Sequence, residues 1–340
     1  MLAFSHSPLS RLRIALVADT LTYESLQDEC HIAYITPRNH RLRLPLFKPD
    51  LLLVESTWRG LRNRWRYKVA SYPDTPSRTN ADLQALVQYA QKRGIPTVFW
   101  NKEDPVHFDR FAGSAVLFDH IFTVDSTSIP EYQRIATSAK THALMMFAVQ
   151  PRIHSYTGFA PSETSASFVG SYLANTHERR RMWQDMLFNA AASTTGLTVF
   201  DRNSKLTAPF YRFPERSGMT VQAAVPYAET ANIYRRHIAN LNVNTIEASP
   251  TMLSRRLMEI VATGGLAVSS PSEAASLMLG EYAHIVSTED EANALLERLA
   301  KDGPSTQDRA RIEAGAHYMA ENHTWAHRLT YLADTVGLGA

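Results

Sequence analysis

The segment whose residue types best suit a chemical role covers residues 241–265. Its pattern predicts a strand followed by a helix, with Ser249 as the N-cap and Pro250 at the first helical position. The backbone N–H groups in the first turn of such a helix are available to bind an anion, such as a diphosphate. We therefore predict a phosphate site formed by Ser249, Pro250, Thr251 and Met252.

Two charged residues follow on one face of this predicted helix. At about 100° per residue, Thr251, Arg255 and Glu259 lie together, opposite the apolar face. Arg255 and Glu259 would form an exposed ion pair, although Arg before Glu is the less favourable order. Alternatively, the guanidinium would lie beside a diphosphate while the carboxylate accepts hydrogen bonds from two sugar hydroxyls. These residues alone leave both interpretations open.

A second candidate site, residues 101–107, directly follows a predicted strand that ends at Trp100. Transfer of a group to an acceptor hydroxyl requires a base that takes the hydroxyl proton. Glu103, Asp104 and His107 are each suited to that role. The alternative is an Asp-Pro helix start, whose carboxylates are stabilised by the helix dipole.

Motifs for metals and for common cofactors are missing from the chain. It contains no Asp-x-Asp, no Walker-type loop and no Gly-x-Gly-x-x-Gly. The 13 histidines include no pair with the spacing and context of a metal site. We expect neither a metal nor a bound cofactor.

The elements that must position these residues alternate along all 340 residues. Short runs rich in Val, Ile and Phe alternate with helical patterns, which indicates βαβ units and parallel sheets. The predicted strands form two groups of six, at 13–18, 31–35, 50–54, 97–100, 120–124 and 143–149, then at 167–169, 197–200, 220–224, 239–243, 266–269 and 284–286. The fold class is therefore α/β, with two doubly wound, Rossmann-like domains.

The Pro- and Ser-rich residues 150–167 have weak periodicity and predict a linker. We predict an N-terminal domain at 1–155, a C-terminal domain at 165–322 and a closing helical segment at 323–340. Ligands of doubly wound sheets bind at the carboxyl ends of their strands. We therefore expect the sites to face a cleft between the two domains.

Composition narrows the functional class. Hydrophobic residues make up 44% of the chain and charged residues 20%, which are ordinary globular values. Cys30 is the single cysteine, and the N-terminus contains no apolar segment of signal-peptide length. A net charge of +2 is too near balance for a dedicated nucleic-acid binder. We expect a soluble, cytoplasmic protein with no nucleic-acid partner.

One short segment is strongly basic. Around Trp58 and Trp65 it contains five cations: Arg59, Arg62, Arg64, Arg66 and Lys68. Charge runs of this kind are usually solvated surface. The alternative is a contact with an anionic acceptor or with phosphates at a membrane surface. A third possibility, nucleic-acid association, would give a steep dependence of binding on salt.

Several motifs in order along nearly the whole chain are similar to the donor-site region and other segments of CgeB-like glycosyltransferases, within the broader family-4-like GT-B glycosyltransferases. These motifs are Lys48-Pro-Asp-Leu-Leu-Leu-Val-Glu-Ser-x-Trp58, Phe99-Trp-Asn-Lys-Glu-Asp-Pro105, Phe118-Asp-His-Ile-Phe-Thr-Val-Asp125, Phe168-Val-Gly-Ser-Tyr172, Asn242-Val-Asn-Thr, Ser249-Pro-Thr-Met, Arg255-Arg-x-x-Glu259, Gly264-Gly and His323-Thr-Trp-x-His-Arg328.

The resemblance implies a GT-B fold whose N-terminal domain binds the acceptor and whose C-terminal domain binds a nucleoside diphosphate sugar. It also implies that the C-terminal helix crosses back to the N-terminal domain. Glu259 matches the carboxylate that holds the donor ribose, and Gly170 with Ser171 matches the close approach to the diphosphate. One departure is Thr251, which stands where better-known family-4 enzymes have a glutamate that contacts the donor sugar.

Tyr172, in the Phe168–Tyr172 motif, also belongs to the predicted donor site. Arg202 and Tyr227 lie near where the nucleobase of the donor should bind, and the alternative for both is a structural role. The implied activity is sugar transfer to a hydroxyl on a glycan, a lipid-linked glycan or another acceptor, as in the biosynthesis of cell-surface polysaccharide. The alternative is a two-domain sugar- or nucleotide-binding or regulatory protein that has the same fold and no turnover. A binding protein of that kind would neither hydrolyse nor transfer the donor.

Overall fold

A computed structural model of the chain describes residues 9–338. Residues 1–8, where no signal peptide is predicted, and residues 339–340 of the predicted closing segment lie outside the described residues. The chain divides into two compact units. The first contains the residues up to Ala148 and those from Trp325 onward, and the second is Val149–Thr324.

The first unit is built on a parallel sheet with the strand order β2-β1-β3-β4-β5-β6. Its strands are β1 Arg13–Val17, β2 His31–Tyr34, β3 Leu51–Glu55, β4 Thr97–Asn101, β5 His120–Thr123 and β6 Thr141–Leu144. All residues of β3, β4 and β5 are buried, as expected for parallel strands that are covered on both faces. The continuous apolar runs in the sequence have this physical origin.

Helices connect these strands, and a helix from the far end of the chain joins the same unit. The helices are α1 Thr20–Leu26, α2 His40–Phe47, α3 Ala81–Gln91, α4 Phe108–Ala115, α5 Ile129–Ile135 and, at the C-terminus, α12 Trp325–Thr335. The Trp325 ring packs edge-on against Trp100, with 5.5 Å between centroids. Arg328 donates to the carbonyls of Met146 and Phe147. The predicted return of the C-terminal helix to the N-terminal domain is confirmed.

The second unit has its own parallel sheet, with the order β12-β11-β10-β7-β8-β9. Its strands are β7 Glu163–Gly170, β8 Leu197–Asp201, β9 Met219–Ala223, β10 His237–Asn242, β11 Ala267–Ser269 and β12 His284–Ile285. Its helices are α6 Glu178–Ser193, α7 Thr230–Arg236, α8 Arg255–Thr263, α9 Glu273–Leu279, α10 Glu289–Asp302 and α11 Thr306–Asn322. The α/β fold class with two parallel sheets is confirmed.

The residues predicted as a linker pack within the second unit. His154 is buried, and its Nε2 lies 2.9 Å from the Thr230 hydroxyl. Phe159 belongs to the core of this unit. The first unit therefore ends before the Pro- and Ser-rich segment, which is ordered by these contacts.

Three predicted element boundaries are wrong. The strand predicted at 167–169 is β7, which begins four residues earlier, at Glu163. The strand predicted at 143–149 ends at Leu144, and beyond it only Val149 forms an isolated bridge. The helix predicted to begin at Ser249–Pro250 begins at Arg255, with Ser254 as its N-cap residue. The described residues include no helix both long and apolar enough to cross a membrane.

The late helix start has a local cause. The Ser249 hydroxyl accepts hydrogen bonds from the N–H groups of Thr251, at 3.3 Å, and Met252, at 2.9 Å. Asn244, ten residues before Ser254, accepts a hydrogen bond from the Ser254 N–H through its side-chain oxygen. Such side-chain bonds to the backbone stabilise a turn in place of the first helical turns.

Candidate functional site

The strand order of the second sheet marks one position at its carboxyl edge. From β7 the chain moves through β8 to β9 on one side, and β10 then pairs with β7 on the other side. Ligands of doubly wound sheets bind at such a switch point, where the connections diverge. Here the switch point is formed by Gly170, which ends β7, and Asn242, which ends β10.

Arg256, in the first turn of α8, bridges these two strand ends. Its Nε donates to the Val169 carbonyl at 2.6 Å, and its Nη1 donates to the Asn242 side chain at 3.3 Å. A Cβ atom at Gly170 would lie 2.7 Å from Nη2 of this arginine. Glycine at position 170 therefore permits the close approach of the guanidinium to the strand end.

Two more guanidinium groups contact the residue after Gly170. Arg180 donates to the Ser171 carbonyl at 3.3 Å, and Arg202 donates to the Ser171 hydroxyl at 3.4 Å. Burial, followed by the charges of neighbouring arginines, lowers the pKa of Arg180 to about 10. Mainly through burial, the pKa of Arg256 is also lowered to about 10.

Arg180 and Arg256 therefore remain charged at neutral pH, and the positive charges of Arg202 and of these two arginines act against one another. An anion bound among them would relieve this repulsion, and arginine forms strong charge-assisted hydrogen bonds with phosphate oxygens. We call Arg180, Arg202 and Arg256 the arginine cluster. For the diphosphate the family resemblance predicted Gly170 and Ser171, whereas Arg202 was predicted near the nucleobase, and Arg180 and Arg256 were missed. The only indication of these two residues in the sequence is that each belongs to a run of consecutive arginines, at 179–181 and at 255–256.

The ion pair predicted on α8 is present, but it is not exposed. Arg255 Nε donates to Glu259 Oε1 at 3.0 Å, and the Tyr227 hydroxyl donates to the same oxygen at 2.9 Å. The Glu259 side chain is only 5% exposed. Of the two interpretations of this face, the exposed ion pair does not hold, because Glu259 is buried and accepts a hydrogen bond from Tyr227. The predicted donor role of Arg255 and Glu259 stays a prediction. Thr251 precedes the helix and does not share its face.

The predicted phosphate site at Ser249–Met252 differs from the arrangement found. No helix begins at Ser249–Pro250, and two of the N–H groups, those of Thr251 and Met252, donate to the Ser249 hydroxyl. The predicted phosphate role of these four residues stays a prediction. Tyr172 is also largely buried. Its ring packs against Phe213, and its hydroxyl contacts Asp185 at 3.4 Å.

In the first unit, Asp104 is fully buried and its carboxylate accepts three side-chain hydrogen bonds. The donors are Asn101 at 2.6 Å, Thr123 at 2.6 Å and Tyr132 at 3.0 Å. Burial raises the pKa of Asp104 to about 7, although the hydrogen bonds from Thr123 and Tyr132 act in the opposite direction. These contacts join β4, β5 and α5, which indicates a structural role for this carboxyl group.

The Asp104 carboxyl predicts a measurable pH dependence of stability. Between the ordinary pKa of 3.8 and about 7, the folded state keeps a proton that the unfolded state has lost. Stability from this group is therefore fully present below the lower value and falls as the pH rises to the higher one, by at most about 1.4 kcal/mol per pH unit. The stability of Asp104→Asn, measured by denaturant unfolding across this pH range, should no longer fall with that slope.

The same variant should lose about 1–3 kcal/mol of stability at low pH, because its amide cannot accept all three hydrogen bonds. Glu103→Gln is the matched control and should retain the wild-type slope. A wild-type slope in Asp104→Asn would show that other groups titrate in this range.

Glu103 and His107 lie beside Asp104 in the sequence and are both partly exposed. The Glu103 N–H donates to the Asn101 side-chain oxygen at 3.1 Å. The His107 ring packs edge-on against Trp58, with 5.1 Å between centroids. Both side chains are therefore at the surface near the end of β4, and their predicted role as a base stays a prediction.

A group of charged side chains lies at the switch point of the first sheet. This group was not predicted from the sequence. Lys102 Nζ lies 2.9 Å from Glu55 Oε1 and 3.6 Å from Asp19 Oδ2. Burial alone would lower the pKa of Lys102, but the charges of Glu55 and Asp19 outweigh it and raise the pKa. Glu55 is fully buried, whereas the Asp19 side chain is 31% exposed. Asp19 is thus a further acidic side chain at the carboxyl edge of this sheet.

The basic segment 59–68 is not uniformly solvated. Lys68 pairs with Asp82, and Trp65 is fully buried with its Nε1 donating to the Ile35 carbonyl. The other cations, Arg59, Arg62, Arg64 and Arg66, are exposed. Within residues 9–338, no group of three or more His, Cys, Asp or Glu residues is arranged to hold a metal ion. The predicted anionic contact of the basic segment stays a prediction.

Comparison with known proteins agrees with this architecture. Residues 180–334 match the model of a family described as Glycosyl transferase-like. The matched region includes the arginine cluster and Glu259 and begins after Gly170. No curated protein sequence matches the chain.

Solved structures extend the likeness to both units. Sucrose-phosphate synthase from Thermosynechococcus elongatus aligns with a TM-score of 0.57 at 11% identity, covering 96% of this chain and 99% of its own. Trehalose 6-phosphate synthase from Burkholderia multivorans aligns at 0.55 and 15% identity, covering 94% and 78%. Anabaena HepE, solved in complex with UDP and glucose, aligns at 0.53 and 12% identity, covering 96% and 91%. At these identities the likeness establishes the GT-B fold alone.

Proposed function

We propose that the protein is a glycosyltransferase that moves a sugar from a nucleoside diphosphate sugar to a hydroxyl acceptor. The observation that carries this proposal is the arginine cluster, with three guanidiniums gathered at the switch point of the second sheet. The match of residues 180–334 to a glycosyltransferase-like family supports it. The acceptor would be a glycan, a lipid-linked glycan or another hydroxyl compound.

The arginine cluster would act on the leaving group. As the bond from the sugar to the diphosphate breaks, negative charge grows on the phosphate oxygens. Positive groups already placed there stabilise the transition state without having to reorganise. Arg256 is held by the Val169 carbonyl and Asn242, so its guanidinium is oriented before the donor binds. The cluster supplies charge that many transferases take from a divalent cation, and we therefore propose metal-independent transfer with no cofactor.

Glu259 would hold the ribose of the donor. Its Oε1 is occupied by Arg255 and Tyr227, and these two contacts fix the position of the carboxylate. A carboxylate held in this way can accept hydrogen bonds from the two ribose hydroxyls. Arg255 and Tyr227 would then act as positioning residues for the donor-binding carboxylate.

The proposal is tested by thermal unfolding with a panel of nucleoside diphosphates and their sugar conjugates, UDP first because HepE was solved with it. At a ligand concentration about 100-fold above Kd, the midpoint should rise by about 5 °C or more. Donor turnover should follow, by hydrolysis or by transfer, and both effects should survive EDTA. The Arg202→Met variant should show a smaller midpoint shift with the same ligand.

Lys301→Met is the matched control, since this exposed cation lies on α10 and outside the cluster. Equal midpoint shifts in the wild type, Arg202→Met and Lys301→Met would place the phosphate site elsewhere. Binding without hydrolysis or transfer would instead identify a sugar-nucleotide-binding protein. A strict requirement for added magnesium or manganese would contradict the metal-independent mechanism.

A further inference from the structure

Helix α2 of the first unit presents two leucines to solvent. Leu42 is 68% exposed and Leu46 is 73% exposed, and their spacing of four residues places them on the same side of the helix. On the same helix Leu44 is 1% exposed and faces the core. Exposed leucines are ordinary when they occur singly, but an aligned pair on a short helix is an apolar surface.

Along the chain, the charges on either side of this pair have one sign. Residues 31–49 contain no Asp or Glu. They contain four cations, all exposed: Arg38, Arg41, Arg43 and Lys48. Helix α2 therefore presents two exposed leucines with exposed arginines beside them, and an anionic bilayer surface can bind both kinds of side chain, through its acyl boundary and its phosphates.

The basic segment 59–68 packs directly beside this region. The Tyr34 hydroxyl accepts from the Leu61 N–H at 2.6 Å, and Trp65 donates to the Ile35 carbonyl at 2.8 Å. Tyr34 ends β2, and Ile35 opens the connection to α2. Residues 56–73 also contain no Asp or Glu. The two acid-free segments are thus held together in the fold, with eight exposed arginines and lysines between them.

We propose that α2 and the basic segment form a surface that binds anionic lipid bilayers. The arginines and lysines would contact the headgroup phosphates, while Leu42 and Leu46 enter the boundary between headgroups and acyl chains. Each cation near such a surface contributes favourably to the free energy of binding. The two leucines add a hydrophobic contribution when they insert into the bilayer boundary. A second copy of this chain is a poorer partner, because a symmetric contact through α2 would bring like charges together.

The proposal is tested by co-sedimentation of the full chain with phosphatidylcholine vesicles, prepared with and without phosphatidylglycerol. The wild type should sediment only with the anionic vesicles, and added salt should weaken this binding. Leu42→Ser/Leu46→Ser should lower the partition coefficient by about tenfold or more, because it removes two apolar side chains. Arg41→Glu/Arg43→Glu should lower it at least as much.

Matched controls separate this surface from general effects. Leu277 on α9 is 69% exposed, so Leu277→Ser removes a similar leucine from the second unit. Lys140→Glu/Lys301→Glu changes the net charge as much as the arginine pair does, at exposed positions outside both segments. Both controls should bind like the wild type, and circular dichroism should show that every variant is folded.

Three outcomes would overturn the proposal. The first is no sedimentation of the wild type with anionic vesicles. The second is equal loss of binding in the α2 variants and the controls. The third is binding to soluble polyphosphate without binding to vesicles, which would assign the surface to a free polyanion. Because the assay does not use turnover, its result is independent of the proposed transferase activity.

Discussion

Replacing Glu259 with alanine is expected to weaken donor binding by about 30- to 150-fold, as measured by calorimetry with the nucleotide sugar found in the ligand panel. Hydrogen bonds to a charged group contribute about 1.5–3 kcal/mol, and a loss of about 2–3 kcal/mol corresponds to this range of affinity. The carboxylate is buried and held by Arg255 and Tyr227, so little reorganisation would be needed for it to accept hydrogen bonds from ribose hydroxyls in the proposed role.

A purely structural role for Glu259 makes a different prediction. Its removal would leave the Arg255 guanidinium, which is 23% exposed, without this carboxylate and would lower stability. Donor affinity of the folded protein would then be unchanged. Denaturant unfolding of the same variant measures the stability effect separately from binding.

Glu163→Ala is the matched control. Glu163 also pairs with an arginine, Arg236, in the second unit, but its side chain is 42% exposed and lies at the start of β7. Its loss should change neither donor affinity nor stability by much, as is usual for exposed ion pairs. If Glu259→Ala binds donor as tightly as this control does, Glu259 has no ribose role and its ion pair with Arg255 is structural.

The fold was predictable because it depends on a strong local signal. Parallel strands that are buried on both faces are mostly apolar, as residues 51–54 of β3 are, and such runs can be read without knowing which strands are neighbours. Twelve short runs rich in Val, Ile and Phe, separated by helical patterns, predicted two α/β sheets. The closing helix was predicted from the family resemblance, and its packing is seen at Trp325 and Arg328.

The helix start at α8 was mispredicted for a physical reason. Ser249–Pro250 satisfies the local rules for a helix N-terminus. Those rules do not account for hydrogen bonds between side chains before the helix and the backbone N–H groups that follow. Asn244 and Ser249 hold residues 251–254 in a turn, and the helix begins only at Arg255. Local propensity is a weak prior that such contacts override.

The charged residues of both sites were harder to predict than the sheets. Arg256 can contact the ends of β7 and β10 because these strands are neighbours. Their pairing joins residues more than 70 positions apart. The contact between Lys102 and Glu55 likewise spans 47 positions. No local pattern encodes either contact. Gly170 and Ser171 were reached only through the family resemblance.

Replacing Glu103 with glutamine is expected to lower turnover by about 100- to 10,000-fold at saturating donor, with donor binding preserved, if Glu103 takes the acceptor proton. The residue follows β4 at the carboxyl edge of the first sheet, where ligands of such sheets bind, and it is partly exposed. Its neighbour Asp104 is enclosed by three hydrogen-bond donors and has no exposed surface. Of the two carboxylates, Glu103 is therefore the one placed to reach an acceptor hydroxyl.

Three other variants identify the base if Glu103 is not responsible. His107→Ala tests the partly exposed imidazole, and Asp19→Asn tests the carboxylate that lies beside Lys102 at the switch point. Asp104→Asn should change stability, as argued above, with near-normal turnover of the folded enzyme. A loss of turnover confined to His107→Ala or to Asp19→Asn would assign the base to that residue and overturn the role of Glu103.

The stereochemistry of the product provides an independent test of the same mechanism. A base that activates the acceptor for direct displacement gives a product whose anomeric configuration is inverted relative to the donor. NMR of the wild-type product measures this configuration. Inversion together with an inactive Glu103→Gln variant supports the proposed base. A retained configuration would contradict direct displacement, whichever of the four variants loses activity, because retention requires a different route through the anomeric carbon.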